Sequence, residues 1–343
     1  MINWMKTEES ESNIVLTSRV RLARNLTRVP FPDRMDEEDG RKTISTIEQA
    51  FFKTTDMAKN YKSIYLWKGN DTENRAFIEK HLISPKLLSN GNKSAFIVNN
   101  EETVSIMLNE EDHIRLQTIT AGLNLEETYE IASGLDDLLE ENLDFAYDEK
   151  LGYLTACPTN LGTGLRASVM IHLPALAVNN ELNSVFNAVT QVGMTIRGLY
   201  GEGSKSEGSL YQISNQLTLG LSEKDILDNL MAVVNQVINQ EELSRKHMLE
   251  SYKYELKDKI FRSLGLLKTA VLLDSKECLN LLSNVRMGVE MGIIKDVSRV
   301  VLNSLLVEIQ PANLQQIFGK ELSNKEKSFN RANLVRERMN KNK

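Results

Sequence analysis

Apolar and polar positions follow two rhythms along this chain, and the rhythm changes once. In the first part, short apolar runs recur at Ser63–Trp67, Ser94–Val98, Val104–Leu108, Ala167–Leu173, Gly193–Tyr200 and Ser209–Asn215. Alternation or short apolar runs of this kind predict strands. Asn13–Leu16 begins another, which delivers Thr17-Ser18-Arg19-Val20-Arg21-Leu22-Ala23-Arg24-Asn25, and Leu151–Ala156 reads as one more. Asn99–Glu102 suits a hairpin between two of them. Helices are predicted over residues 36–60, 74–81 and 181–189. In the first of these, Ile44, Ile47, Ala50 and Phe51 share a face and Asp36 or Asp39 can cap. From about residue 222 only the helical rhythm remains. Leu227, Leu230, Val233, Val234, Val237 and Ile238 open it, and it continues through 260–273, 276–294 and 297–309. Pro311 then marks a helix start and Gly319 its stop. The fold class expected is α+β, with an antiparallel sheet flanked by helices in residues 1–245 and an all-helical region in 246–343.

Charge changes this picture in two places. Residues 126–149 hold ten acidic side chains and no basic one, around a stripe of Leu135, Leu138, Leu139 and Leu143. This reads as a helix with a solvated acidic face. Lys320–Lys343 carries eight basic and three acidic residues, hence +5, against –11 for the rest. It reads as a solvated amphipathic helix or as an anion-binding element. The total charge of –6 gives no case for nucleic acid binding. No apolar run is long enough to span a bilayer, and the first residues do not resemble a signal peptide. Two cysteines, Cys157 and Cys278, imply no disulfide framework and fit a reducing cytoplasm.

Four segments could carry chemistry. Arg19 and Arg21 lie two apart, so an extended chain points both to one face, and paired guanidinium forks grip phosphate well. Glu110-Glu111-Asp112 sits at a predicted strand end beside His113 and Arg115. Buried carboxylates there would need a cation, a metal or solvent. Cys157-Pro158-Thr159-Asn160-Leu161-Gly162-Thr163-Gly164-Leu165-Arg166 links two predicted strands by a glycine-rich turn that can aim amides at an anion. Read alone, it also describes a turn with a buried cysteine and a surface arginine. Gly201–Gly208, with Glu202 and Glu207, has the composition of a loop that closes over a ligand, and it is no Walker loop.

Together and in order, Ser18-Arg19-Val20-Arg21, Asn109–Arg115, Cys157–Arg166 and Arg197-Gly198 with Gly201-Glu202 resemble the ATP:guanidino phosphotransferases, the arginine and creatine kinases. The resemblance implies transfer of the ATP γ-phosphoryl group to a guanidinium nitrogen, with ATP and Mg2+ required. Arg19, Arg21, Arg115, Arg166 and Arg197 would clamp the phosphates. Thr17, Ser18, Val20, Ala167, Ser168, Val169, Met170, Gly198, Leu199, Tyr200, Gly201 and Glu202 would line the nucleotide site. His81 would stack near adenine. Glu111 and Glu202 would hold the acceptor guanidinium, one of them as base. Cys157 would act beside it as a thiolate, and Glu110 would meet magnesium through water.

Only 16 residues precede Thr17, where small-molecule members carry a helical domain of some length, and a helical region follows position 245 instead. That layout is similar to the bacterial protein arginine kinase branch, and a site without that lid can admit an arginine on another protein. The branch implies a homodimer or higher assembly and a phosphoarginine pocket marked R-D-x-x-R-A. Here the segment is Lys327-Ser328-Phe329-Asn330-Arg331-Ala332, so Arg331 and Ala332 match while Lys327 and Ser328 depart. It also implies the activator McsA, the repressor CtsR as a substrate, and the ClpC–ClpP protease. A free-guanidino kinase and a non-catalytic phosphoarginine-binding adaptor are the other readings of the same residues.

Overall fold

The computed structural model describes residues 3–7, 14–199 and 206–340. The strands are β1 (Val15–Arg24), β2 (Tyr61–Tyr65), β3 (Ala95–Asn99), β4 (Val104–Leu108), β5 (Ile114–Ala121), β6 (Tyr147–Asp148), β7 (Gly152–Tyr153), β8 (Leu165–His172), β9 (Met194–Gly198) and β10 (Leu210–Asn215). The α-helices of the first part are α1 (Glu37–Phe51), α2 (Thr55–Asn60), α3 (Asp71–Glu79), α4 (Pro85–Ser89), α5 (Leu125–Glu140), α6 (Pro174–Val178) and α7 (Leu182–Gln191). Then follow α8 (Glu223–Ser251), α9 (Lys253–Thr269), α10 (Ser275–Glu290), α11 (Arg299–Glu308), α12 (Pro311–Phe318) and α13 (Asn324–Asn340). Among the described residues, eight strands make one sheet in the order β2-β3-β4-β5-β1-β8-β10-β9, with antiparallel neighbours throughout.

The pleat of β1 divides the molecule. Val20 and Leu22 point to a face covered by α1, α5 and α8, where Ile106, Leu116, Ala167, Val169 and Ile213 join one core. Thr17, Arg19 and Arg21 point to the other face. At one end of that face Ile119 and Met170 join a second core with Trp4 and the C-terminal helices. Helix α8 crosses position 245 without a break and has residues in the first core up to Ile238 and in the second at Met248.

Several predicted elements shift. Residues 36–60 form two helices, because Thr54 N-caps a new one by accepting the Met57 amide. Leu151–Ala156 is mostly not strand: only Gly152–Tyr153 pairs, in a short hairpin with Tyr147–Asp148. The remainder is held from outside, by Leu154 N to Ala146 O at 2.8 Å and Ala156 N to the Asp112 carboxylate at 2.7 Å. Strand β5 follows the acidic cluster without any apolar run to announce it, since Arg115, Gln117 and Thr118 are polar. The acidic helix is not solvated all round. Asp136 is buried and its Oδ2 accepts Nε and Nη2 of Arg24 at 3.0 and 2.7 Å. Gly164 turns at φ 65, and a Cβ there would lie 2.6 Å from Ala23 O and Arg24 Nη1, so only glycine lets this loop close on β1.

Candidate active site

Sheet register brings together what the sequence scatters. Arg21 lies directly opposite Arg166 on β8 and Gln117 on β5. Arg19 lies opposite Ser168, and Ala23, two residues beyond Arg21, lies opposite Arg115. Arg197 lies opposite Gln212, which in turn faces Met170. With a side-chain period of two, all five arginines therefore rise from the same sheet face. Like charges opposite one another destabilise a sheet. Nε of Arg21 and of Arg166 are buried without a partner. Burial and its arginine neighbours lower the pKa of Arg19 to about 10, and burial and the neighbouring arginines lower that of Arg21 as well. Unsatisfied buried donors and mutual repulsion both call for a polyanion at this place. Arg24, one residue from this row, is spent otherwise: it is buried against Asp136, Thr163 O and the Tyr153 ring.

The three carboxylates of the β4–β5 turn are sorted by their partners. Glu110 accepts Arg115 Nη1 with both oxygens, at 2.6 and 2.7 Å, along with Ser84 Oγ and the Glu111 amide. Burial pushes its carboxyl up, but Arg115 and the hydrogen bonds hold it below the usual range. Asp112 accepts Asn25 Nδ2 at 2.6 Å and Ala156 N at 2.7 Å. Glu111 remains: half-buried, with no side-chain hydrogen bond to a described residue. Burial first, then the charges of Asp112 and Glu110, push its carboxyl up. Glu111 and Cys157 are each one residue from the Asp112–Ala156 bond, so one hydrogen bond fixes both loops. The Cys157 sulfur lies 3.0 Å from Thr159 Oγ1. Asn25 binds both loops, the β4–β5 turn through Asp112 and the His113 amide and the segment before Cys157 through Leu154 O. Asn25→Ala is expected to cost about 2–3 kcal/mol in a urea melt, because it orphans buried partners, and to lower turnover through the Cys157 loop.

Comparison with known proteins decides what such a site belongs to. Residues 42–244 match the model of the ATP:guanido phosphotransferase C-terminal catalytic domain. The chain belongs to the ATP:guanido phosphotransferase family. Residues 253–343 match the protein-arginine kinase McsB C-terminal domain. A protein-arginine kinase of Clostridium kluyveri is 59% identical over 99% of this chain and 99% of its own length. One of Clostridium acetobutylicum is also 59% identical, over 99% of this chain and 100% of its own. Among solved structures, lombricine kinase matches with TM-score 0.58 at 26% identity, over 71% of this chain and 70% of its own.

In this phosphotransferase a cavity of about 410 Å3 adjoins the arginines. Arg19, Arg21, Arg115 and Gln212 line it, as do His81, Ile83 and Met107. His81 sits in left-handed backbone at φ 62, and burial followed by the charge of Arg19 lowers its imidazole to about 4, so the ring is neutral. Ser18, Val20, Ala167 and Val169 point away from this face, contrary to the expectation that they line the nucleotide site. Val20, Ala167 and Val169 are core side chains, and Ser18 Oγ donates to Gly122 O and accepts the Asn124 amide. They serve as the backbone that carries the arginines. Thr17, Ser168 and Met170 do face the cavity side, beside Leu199. Gly198 ends β9 opposite Tyr211. Tyr200, Gly201 and Glu202 lie outside the described residues. Gln212, whose Oε1 accepts Arg19 Nη2 at 2.7 Å, and Gln117 were not anticipated.

Glu110 does not suit a magnesium contact as the sequence suggested, because Arg115, Ser84 and Glu111 N already occupy both its oxygens. Among the described residues no group of three or more His, Cys, Asp or Glu could hold a metal. In the tail, Arg331 is buried and donates to Ile309 O at 2.8 Å and Leu273 O at 3.0 Å, while Ala332 is buried in the second core. Lys327 and Ser328 are half-buried on the same helix, α13. Arg331 thus ties α13 to the ends of two neighbouring segments. No helix of the described residues is long and apolar enough to cross a membrane.

Proposed function

We propose that this chain is a protein arginine kinase, transferring the ATP γ-phosphoryl group to arginine side chains of proteins. The carrying observation is the sheet face on which five arginines converge, two of them, Arg21 and Arg166, with a buried Nε that has no partner, together with a carboxylate, Glu111, that makes no side-chain hydrogen bond among the described residues. Transfer of a phosphoryl group needs positioning and charge stabilisation above all. The arginines hold the phosphates and offset the charge on the transferring group. Glu111 grips the acceptor guanidinium, whose pKa of about 12.5 makes it a poor nucleophile. As its nitrogen bonds to the γ-phosphorus, the bond to the ADP oxygen breaks and a guanidinium proton passes to Glu111. Cys157 lies on the loop that Asp112 fixes to Glu111 and faces the same acceptor. Glu202 is the second carboxylate of this grip.

Relatives that carry the name protein-arginine kinase favour a protein acceptor over a free guanidino compound. McsA as activator, a CtsR-like repressor as substrate, delivery to ClpC–ClpP and assembly as a dimer or more belong to the same proposal. So does a phosphoarginine pocket around Lys327, Ser328, Arg331 and Ala332, although Arg331 already spends Nε and Nη1 on carbonyls. The acceptor is tested by incubating the chain with MgATP and either an arginine-containing protein or free arginine. Acid-labile phosphate on protein arginines alone is expected. Phosphorylation of free arginine alone would make the chain a free-guanidino kinase.

A further inference from the structure

The sheet alone does not close the cavity beside the arginines. Arg19, Arg21 and Arg115 line it, and so do Glu79, His81 and Gln310. Glu79 ends α3, whereas Gln310 is the N-cap of α12, far along the C-terminal helical region. A clamp joins the two. Both Glu79 oxygens accept the Ala312 amide, at 2.8 and 3.0 Å. Oε2 also accepts the Asn313 amide and Asn313 Nδ2, each at 2.8 Å, and Nδ2 reaches Ala76 O at 3.2 Å. Gln310 makes no capping bond from its own side chain. A carboxylate borrowed from α3 therefore satisfies the first-turn amides of α12 and meets the positive end of its dipole. His81 follows two residues after Glu79, with its amide bonded to Ile78 O and its carbonyl accepting Gln117 Nε2 at 2.8 Å. The end of α3 is thus held by α12 on one side and by β5 on the other.

We propose that the C-terminal helical region forms one wall of the nucleoside end of this cavity, with Glu79 as the positioning residue that passes the docking of α12 on to His81. The inference rests on the cavity being the nucleotide site. Its consequence is linkage: nucleoside binding and the docking of α12 favour each other by the same factor. Inorganic triphosphate, which engages only the arginines, is blind to the clamp. ATP is not.

The test titrates the full chain and its Glu79→Gln, Asn313→Ala and Gln310→Ala variants with ATP and, separately, with inorganic triphosphate, both with magnesium. The ratio of ATP affinity to triphosphate affinity is expected to fall about tenfold in Glu79→Gln and in Asn313→Ala, a usual size for coupling between sites, while triphosphate binding stays within about twofold. Gln310→Ala leaves the clamp intact and is expected to lower the ratio too, which keeps the test open should a clamp variant fail to fold. An unchanged ratio in folded variants overturns the inference. So does an equal loss for both ligands, which marks a merely structural contact. A parent chain that binds ATP no more tightly than triphosphate instead refutes the nucleotide reading of the cavity itself.

Discussion

Replacing Glu111 by glutamine is expected to lower kcat by about a thousandfold while ATP binding stays within about twofold, since a positioned general base contributes roughly 10²–10⁴. The substitution keeps the size of the side chain and removes the proton acceptor and the charge that grips the guanidinium. Glu110→Gln is the contrast. It breaks the two-oxygen pair with Arg115, so its main expected effect is a raised KM for ATP. The pH dependence follows from the upward shift at Glu111. The ionised form is the working form, so activity should rise as pH passes the raised pKa and be lost on the acid side. Stability has the opposite sign. A carboxyl whose folded pKa lies above its unfolded value favours the fold below that range and opposes it once ionised. Glu111→Gln should therefore leave the neutral-pH melting temperature unchanged or higher. A pH–rate profile and a thermal melt of the same preparation check both signs.

Arg166→Met is expected to abolish transfer, by about 10³-fold or more, the range found when an arginine that stabilises transferring phosphate is lost. The same change should stabilise the ligand-free protein. Arg166 lies directly opposite Arg21, and both keep a buried Nε without a partner. A like-charged cross-strand pair costs roughly 0.2–1 kcal/mol, and burial with the charges of Arg197 and Arg115 already disfavours the Arg166 guanidinium. Methionine keeps much of the apolar stem and removes the repulsion. A raised melting temperature without ATP, with no further rise on adding ATP, is the expected pair of results. A destabilised ligand-free variant would show that Arg166 supports the fold rather than the ligand.

These two residues also show what the sequence could tell. Arg19 and Arg21 are readable as a same-face pair, because strand alternation is local. Their convergence with Arg115, Arg166 and Arg197 is not, because it depends on β5 and β8 flanking β1, and on β10 and β9 following beyond β8, in one register. Alternation also limits the site from within: the neighbours Val20, Ala167 and Val169 are carried by the same strands yet face the core. Three carboxylates in a row look alike in sequence. Only the fold gives Glu110 to Arg115 and Asp112 to Ala156 N, and leaves Glu111 over among the described residues. Arg24, next along the strand, is taken up by Asp136 of α5, a partner no local pattern announces. Gln212 and Gln310 carry no motif, and only tertiary contact brings them to the cavity. After residue 222 the helical rhythm was legible in outline: Pro311 and Gly319 bound α12, with Gly319 at φ 65, because caps are local, whereas α9 spans Lys253–Thr269 and not 260–273, and α10 ends at Glu290 and not at 294. What that region touches was not.

The most direct test is phosphorus NMR of the full chain with MgATP and an unfolded arginine-containing protein. A phosphoramidate resonance on the acceptor, lost in mild acid and matched by ADP formed, is predicted, and Arg166→Met should show none. ADP with inorganic phosphate alone, or an acid-stable phosphate ester on the acceptor, would contradict guanidinium transfer at this arginine-lined face.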